Sequence, residues 1–516
     1  MKSFMDELKE TLDEDFNISV TENGAVGYRT SGKELLDLNF SVSSLRNRSD
    51  LEILKAFSKA YYENSLLAIK WLFYAGDVRG GLGERRLFRV CLSWLADNYS
   101  DVALKILEFV PEYTRWDNYL ALFGSRLEIN VLKIFKEQLT KDMENKRAKK
   151  PISLLAKWLP SINASSKKTR ENAKRIIKYF GISERRYRKM LANLRSYLDV
   201  TEVKMSAKKW DKIDYPSVPS RANLIYNNAF LRNDEARRRE YLASLEKGET
   251  KINACTLFPH DIVHKYHQSV WWGSTYRTST DTTLEQLWKG LPDYVKGNGN
   301  TICVSDGSGS MCSTVGGTNI SCLDVAIALS IYFSERSSGQ FKDKFITFSE
   351  HPKLVDLTSC KSLIKKINKV ASCFEVANTN IEAVFNLILQ TAINNNLRQE
   401  DLPTNILILS DMEFDGCARD NKGFPLTSGS GTRLFKAISE RYARHGYKLP
   451  RLVFWNICSR TNTIPVRENC LGVALVSGFS PAIAKMVLSN KTDPFECLLE
   501  QINSERYAPI ERVIKS

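Results

Sequence analysis

The stretch Thr301-Ile302-Cys303-Val304-Ser305-Asp306-Gly307-Ser308-Gly309-Ser310-Met311 constrains this chain more than any other. It begins as an apolar run rich in β-branched residues and ends in Gly and Ser. That is the pattern of a buried parallel strand delivering a loop at its carboxyl end, the edge of an open α/β sheet where ligands bind. The loop offers the Asp306 carboxylate and the Ser308 and Ser310 hydroxyls. Alternation places the three on one side, and the intervening glycines let the backbone bend around a small ion. Oxygen donors of this kind suit a hard divalent cation, Mg²⁺ or another such as Mn²⁺ or Ca²⁺.

Two later stretches extend the set. Ala377-Asn378-Thr379-Asn380 precedes an apolar-periodic helix from Ile381 to Leu389, which puts the Thr379 hydroxyl at a helix start. Asn405-Ile406-Leu407-Ile408-Leu409-Ser410-Asp411 is a second buried strand ending in a carboxylate. Three loops at one sheet edge are thus expected to supply Asp306, Ser308, Ser310, Thr379 and Asp411. This order and spacing, over roughly 297–490, resembles the metal-ion-dependent adhesion site of von Willebrand factor A domains. The resemblance implies Mg²⁺ held directly or through water, with one coordination position open to a partner's carboxylate.

The surrounding pattern alternates strand and helix. Helix 322–335, strands Lys344 to Phe348 and 353–357, helices 360–370 and 381–395, and strands Arg451 to Asn456 and Gly472 to Val476 follow in turn. Such an order implies a doubly wound, mostly parallel sheet. Upstream, from Ser49 to about residue 200, apolar residues recur every three to four positions in helices of ten to fifteen residues. That is the pattern of an α-helical repeat or HEAT-like solenoid, although no strict sequence period is visible. The fold expected is therefore multidomain, α plus α/β. Residues 1–295 form the helical domain, 296–490 the α/β domain, and 491–516 a helical tail that packs on the rest. Residues 273–283, polar and rich in Ser and Thr, are expected to be a loop. Asp77-Val78-Arg79-Gly80-Gly81-Leu82-Gly83-Glu84-Arg85-Arg86 lacks a preceding strand and a G-K-[S/T], so it reads as a helix break, not a phosphate loop.

The net charge of +15 is local. Residues 141–240 hold 26 of the 74 Lys and Arg but only 11 of the 59 Asp and Glu, and the rest of the chain is neutral with 48 of each. A basic segment on a neutral body is the footprint of a polyanion binder. Its candidate RNA contacts are Lys146, Arg147, Lys149, Lys150, Lys167, Lys168, Arg170, Lys174, Arg175, Arg185, Arg186, Arg188 and Lys189. Trp158, Tyr179, Phe180, Tyr187 and Tyr197 are interleaved with them, and aromatics of this kind can stack on unpaired bases. Trp158, in an apolar stretch, reads as core.

Other classes are disfavoured. No run of about 18 apolar residues marks a membrane span, and the acidic first fifteen residues are no signal peptide. Eleven cysteines, odd in number and without a C-x-x-C pair, fit reduced thiols in the cytoplasm and argue against a disulfide frame or a zinc site. With five histidines, a His-rich metal site is not expected either. No Ser/His/Asp or Cys/His constellation of interpretable spacing emerges, so an enzyme is not expected.

A helical half followed by a von Willebrand factor A domain resembles the Ro ribonucleoprotein (TROVE-domain) family. It resembles more closely an uncharacterised family of plants, fungi, giant viruses and phages. The residues carrying that second likeness are Thr21 to Ala25, Asp77 to Arg86, Pro111 to Asp117, Val218 to Ser220, Phe454 to Asn456 and Leu475 to Ser480. The Ro likeness implies a ring of helical repeats that binds structured or single-stranded RNA on a basic surface. The expected function is thus a monomeric RNA-binding scaffold, with the metal domain closing the ring or recruiting a carboxylate-bearing protein. A metal-dependent protein adaptor without RNA binding is the alternative. A third reading, phosphodiester cleavage by two ions on Asp306, Asp411 and Asp415, is the least supported.

Overall fold

A computed structural model describes residues 5, 12, 16–270, 273–295, 300–316, 318–349, 351–374, 380–414, 431–467, 472–487, 491 and 493–516. The chain divides into two compact units, one of residues 1–68 with 257–504 and one of residues 69–256 with 505–516. This division differs from the boundaries drawn at 295/296 and 490/491. Residues 1–68 and 257–295 belong with the sheet, and the tail splits at 504/505.

In the first unit, β1 (Ile18–Val20) and β2 (Val26–Tyr28) form an antiparallel hairpin. β3 (His267–Val270) and β4 (Gly273–Tyr276) form another, where a loop was expected at 273–283. Its pairing rests on backbone hydrogen bonds, which leave no apolar alternation to read.

The central sheet comprises β5 (Thr301–Asp306), β6 (Lys344–Phe348), β7 (Leu354–Asp356), β8 (Asn405–Ser410), β9 (Arg451–Asn456) and β10 (Val473–Ser477), in the order β10-β9-β8-β5-β6-β7. Only the β6–β7 pair is antiparallel. All six residues of β5 are buried, as are all five of β10. Continuous apolar strands of this kind require cover on both faces, and helix Cys322–Arg336, buried along most of its length, supplies part of it. The strand order runs outward from β5 through β6 to β7, then restarts beside β5 at β8. The carboxyl ends of β5 and β8 therefore flank the switch point where an α/β sheet opens a crevice. Asp306 ends the first and Asp411 follows the second.

The second unit is helical. Its helices include Arg85–Asn98, Glu128–Arg147, Lys167–Phe180, Glu184–Tyr197, Ser220–Asn233, Glu235–Glu246 and the C-terminal Ala508–Lys515. Helix Glu184–Tyr197 shows why they form: Ser183 caps it by accepting from the Arg186 amide, and Tyr187, Leu191 and Leu194 make one buried stripe. The glycine-rich segment after Asp77 is a structural joint. A Cβ on Gly81 would lie 1.9 Å from the Tyr74 carbonyl oxygen. The buried Asp77 carboxylate accepts from the Arg79 amide at 2.9 Å and the Tyr507 hydroxyl at 3.1 Å, and pairs with Arg506.

The C-terminal helix is also held by an ion pair, Lys70 Nζ to Glu511 at 2.7 Å, with the Lys70 side chain only 2 % exposed. Hydrogen bonds from Lys515 and Lys70 pull the Glu511 carboxyl down to about 2. A depressed carboxyl contributes stability that is complete above its unfolded range near 4.5 and is lost as pH falls toward 2. Glu511→Gln is expected to cost about 1–2 kcal/mol at pH 7, because Glu511 is partly exposed, and almost nothing near the folded value. Denaturant melts of both proteins at pH 7 and pH 2.5 check this. No helix among the described residues is long and apolar enough to cross a membrane.

Candidate functional site

The loop after β5 folds around the Asp306 carboxylate. Asp306 Oδ1 accepts from the Ser308 amide at 2.9 Å, and Oδ2 accepts from the Ser410 hydroxyl at 2.6 Å. The Ser308 and Ser310 hydroxyls lie 2.9 Å apart. Gly307 is needed for a steric reason, since a Cβ there would sit 2.3 Å from the Phe374 ring. Beyond β8, Asp411 Oδ1 accepts from the Glu413 amide at 3.3 Å. Asp411 Oδ2 is buried and takes no hydrogen bond among the described residues; the Arg460 guanidinium lies 3.5 Å away. Burial raises both carboxyls above their ordinary range, and for Asp306 the nearby Asp411 charge adds to it. Two paired hydroxyls beside two buried carboxylates, one with an unsatisfied oxygen, fit a hard cation. Asp306, Ser308, Ser310 and Asp411 lie together at this sheet edge. Thr379 and Asp415 lie outside the described residues.

Sequence reasoning missed what holds these loops. Glu413 is buried, and its carboxylate accepts from the amides of Glu22, Arg460 and Thr461 at 2.8, 2.8 and 3.0 Å and from the Ser459 hydroxyl at 3.0 Å. Burial alone would raise its carboxyl, but these bonds hold it below its ordinary range. The Thr21-Glu22-Asn23-Gly24-Ala25 turn docks on the same loop. The Thr21 hydroxyl donates to the Phe414 carbonyl at 2.6 Å, and the Asn23 amide group donates to the Glu413 carbonyl at 2.7 Å. Farther along the edge, the Ser43 hydroxyl donates to the Asn456 carbonyl at 2.9 Å and lies 2.7 Å from the Ser477 hydroxyl. The Asn456 side chain donates to the Phe40 carbonyl at 2.8 Å. Residues 18–48 thus strap the sheet edge that carries the site.

The basic surface lies on the helical unit and is sorted by its contacts. Arg147, Lys149, Lys150, Lys167, Lys168, Lys174, Arg185, Arg186, Arg188 and Lys189 are exposed, and none makes an ion pair among the described residues. Arg170 instead donates to the carbonyls of Ala164 and Ser165 at 2.7 and 2.6 Å, Arg175 pairs with Glu128 at 2.7 Å, and Lys146 donates to Asn193. Tyr187 is fully buried, its hydroxyl donating to the Pro160 carbonyl at 2.9 Å, so it is no stacking platform. Trp158 is covered by the Arg115 guanidinium at 3.8 Å. Tyr179, Phe180 and Tyr197 stay half-buried.

Arg238, in the same basic stretch, is a core residue. It is fully buried, with its guanidinium 5.1 Å from Tyr215, 5.2 Å from Phe230 and 5.5 Å from Tyr241.

A third cluster was not expected from the sequence. His264 and His267 meet Asp324 of helix Cys322–Arg336, and all three belong to the sheet unit. Three of the five histidines fall in the spacing H-x₃-H-x₂-H from His260, the one signal that pointed there.

Two family models match the chain, both for domains of unknown function. DUF2828 covers residues 21–112 and 163–301, and DUF7788 covers 300–509. An uncharacterized protein, L728, of Acanthamoeba polyphaga mimivirus is 30% identical over 537 residues, spanning 96% of this chain and 89% of the viral protein. A likeness of that extent means that this chain belongs to the same family as the mimivirus protein, built on a DUF2828 region followed by a DUF7788 region.

Proposed function

We propose that this protein is an RNA-binding scaffold whose helical unit holds RNA and whose sheet edge, resembling a von Willebrand factor A adhesion site, binds Mg²⁺ and through it a partner carboxylate. The observation that supports it most is the set of exposed basic side chains Lys167, Lys168, Lys174, Arg185, Arg186, Arg188 and Lys189 on helices Lys167–Phe180 and Glu184–Tyr197, which no acidic residue among those described neutralises. Unpaired cations on a surface gain most from displacing counterions on a phosphate backbone. The test is binding of a single-stranded RNA oligonucleotide by the full chain at about 50 and 200 mM salt. A fall of roughly 10²-fold or more between the two is expected for a multi-phosphate contact. Weak binding that ignores salt would overturn the reading.

A metal-dependent adaptor without RNA is favoured by one observation, the unsatisfied Asp411 oxygen beside the serine pair. The two readings share the cation site. Asp411→Ala is expected to lower Mg²⁺ affinity by more than about 100-fold, beyond what losing a supporting residue costs. Ser410→Ala, which removes the hydrogen bond to Asp306 and the acceptor of the Met412 amide, is expected to lower it by about tenfold. Calorimetric titration of the EDTA-treated proteins measures both.

A further inference from the structure

We propose that His264, His267 and Asp324 form a second metal site, one for Zn²⁺, chemically separate from the oxygen-only loop at Asp306. The ligating atoms of the three side chains lie within 4.8 Å of one another. Both imidazoles turn the same nitrogen to the same oxygen, His264 Nδ1 at 2.8 Å and His267 Nδ1 at 3.2 Å from Asp324 Oδ2. Ligand atoms placed tetrahedrally around zinc, at bonds near 2.1 Å, stand about 3.4 Å apart. The spacing here is therefore close to that of a bound set, and small side-chain shifts would admit the ion.

The surroundings hold the carboxylate as supporting groups hold metal ligands elsewhere. Asp324 is fully buried at the third position of its helix. Its Oδ1 accepts from the Tyr276 hydroxyl at 2.7 Å and its Oδ2 from the Ser321 amide at 3.2 Å. The two imidazole planes stand at 88°, with centroids 5.4 Å apart, so the rings approach the carboxylate from different directions. His267 Nε2 is buried and has no hydrogen-bond partner among the described residues. Among the described residues the ring is hydrogen-bonded only through Nδ1.

Ligand chemistry selects the metal. Two imidazole nitrogens and one carboxylate suit zinc and disfavour Mg²⁺ and Ca²⁺, which take oxygen. Three protein ligands leave a fourth position for water.

The test uses the full chain, stripped with chelator and titrated with Zn²⁺, and separately with Co²⁺ as a spectroscopic substitute. One equivalent of Zn²⁺ is expected to bind and to resist a thousandfold excess of Mg²⁺. His264→Ala and His267→Ala are each expected to weaken it at least about 100-fold, and Tyr276→Phe about tenfold. Tight binding that survives both histidine substitutions would overturn the proposal. The chain's cysteines could also take zinc, and Co²⁺ separates the cases. Visible d–d bands without a thiolate charge-transfer band support the His/Asp site. A thiolate band, or no Co²⁺ spectrum at all, overturns it. Because this readout is made on the unsubstituted protein, it decides even if the histidine variants fail to fold.

Discussion

Reversing four charges on one helix, with Arg185, Arg186, Arg188 and Lys189 changed to Glu, is expected to weaken RNA binding by about 10³-fold near physiological salt. Each phosphate neutralised on a single strand contributes about 0.7 to the slope of log affinity against log salt. Losing four contacts lowers the slope by roughly 3 and removes about two decades of affinity at 0.15 M salt, and the new repulsion supplies the rest. The fold should not respond. All four side chains are exposed, whereas Tyr187, Leu191 and Leu194 of the same helix keep the buried face. Fluorescence anisotropy across a salt series, alongside a thermal melt, measures both quantities. A change of less than threefold with the slope intact would remove this helix from the RNA surface.

Arg238→Ala is expected to destabilise the helical unit by about 3–5 kcal/mol, a large share of an ordinary domain's stability. The guanidinium donates to Asn223 at 3.1 Å and to Asn227 at 3.1 and 3.3 Å, within the cage of Tyr215, Phe230 and Tyr241. Truncation leaves two buried amide oxygens short of donors and opens a cavity among the rings, and each effect costs a few kcal/mol. Lysine restores the charge but not the planar fork, so Arg238→Lys should recover less than half of the loss. Urea unfolding of the three proteins checks the order. If alanine costs under 1 kcal/mol, the cage is not what holds Ser220–Asn233 to Glu235–Glu246.

What could be read from the sequence was what is local in the chain. Ile302 and Val304, and Ile406 and Ile408, announced strands buried on both faces, and Asp306, Ser308 and Ser310 announced their loop because five consecutive residues make it. Ser410 and Glu413 carried no such signal. Ser410 reaches Asp306 only because β8 lies beside β5 in one register, and the amide that Glu22 offers Glu413 comes from 391 residues away. His264 and Asp324 are 60 residues apart and meet through the packing of helix Pro259–Val263 on helix Cys322–Arg336. The basic segment was countable but not sortable. Charge alone does not separate Arg185, which faces solvent, from Arg238, which is core, since only packing decides which cation is covered. The short strands of both hairpins escaped because three or four residues are too few to display an alternation.

The strap over the sheet edge has a consequence for biosynthesis. Ser43 and its partner Ser477 are separated by 434 residues. At translation rates of 5–20 residues per second, about 20–90 s pass between the emergence of one and of the other. Throughout that interval Leu35, Leu36, Leu38 and Phe40, all buried in the finished protein, leave the ribosome without the strands they will cover. A segment made 434 residues before its partner is thus late to find its place, so nascent chains of this protein carry a long-lived apolar segment that calls for chaperone shielding until Ser477 has emerged.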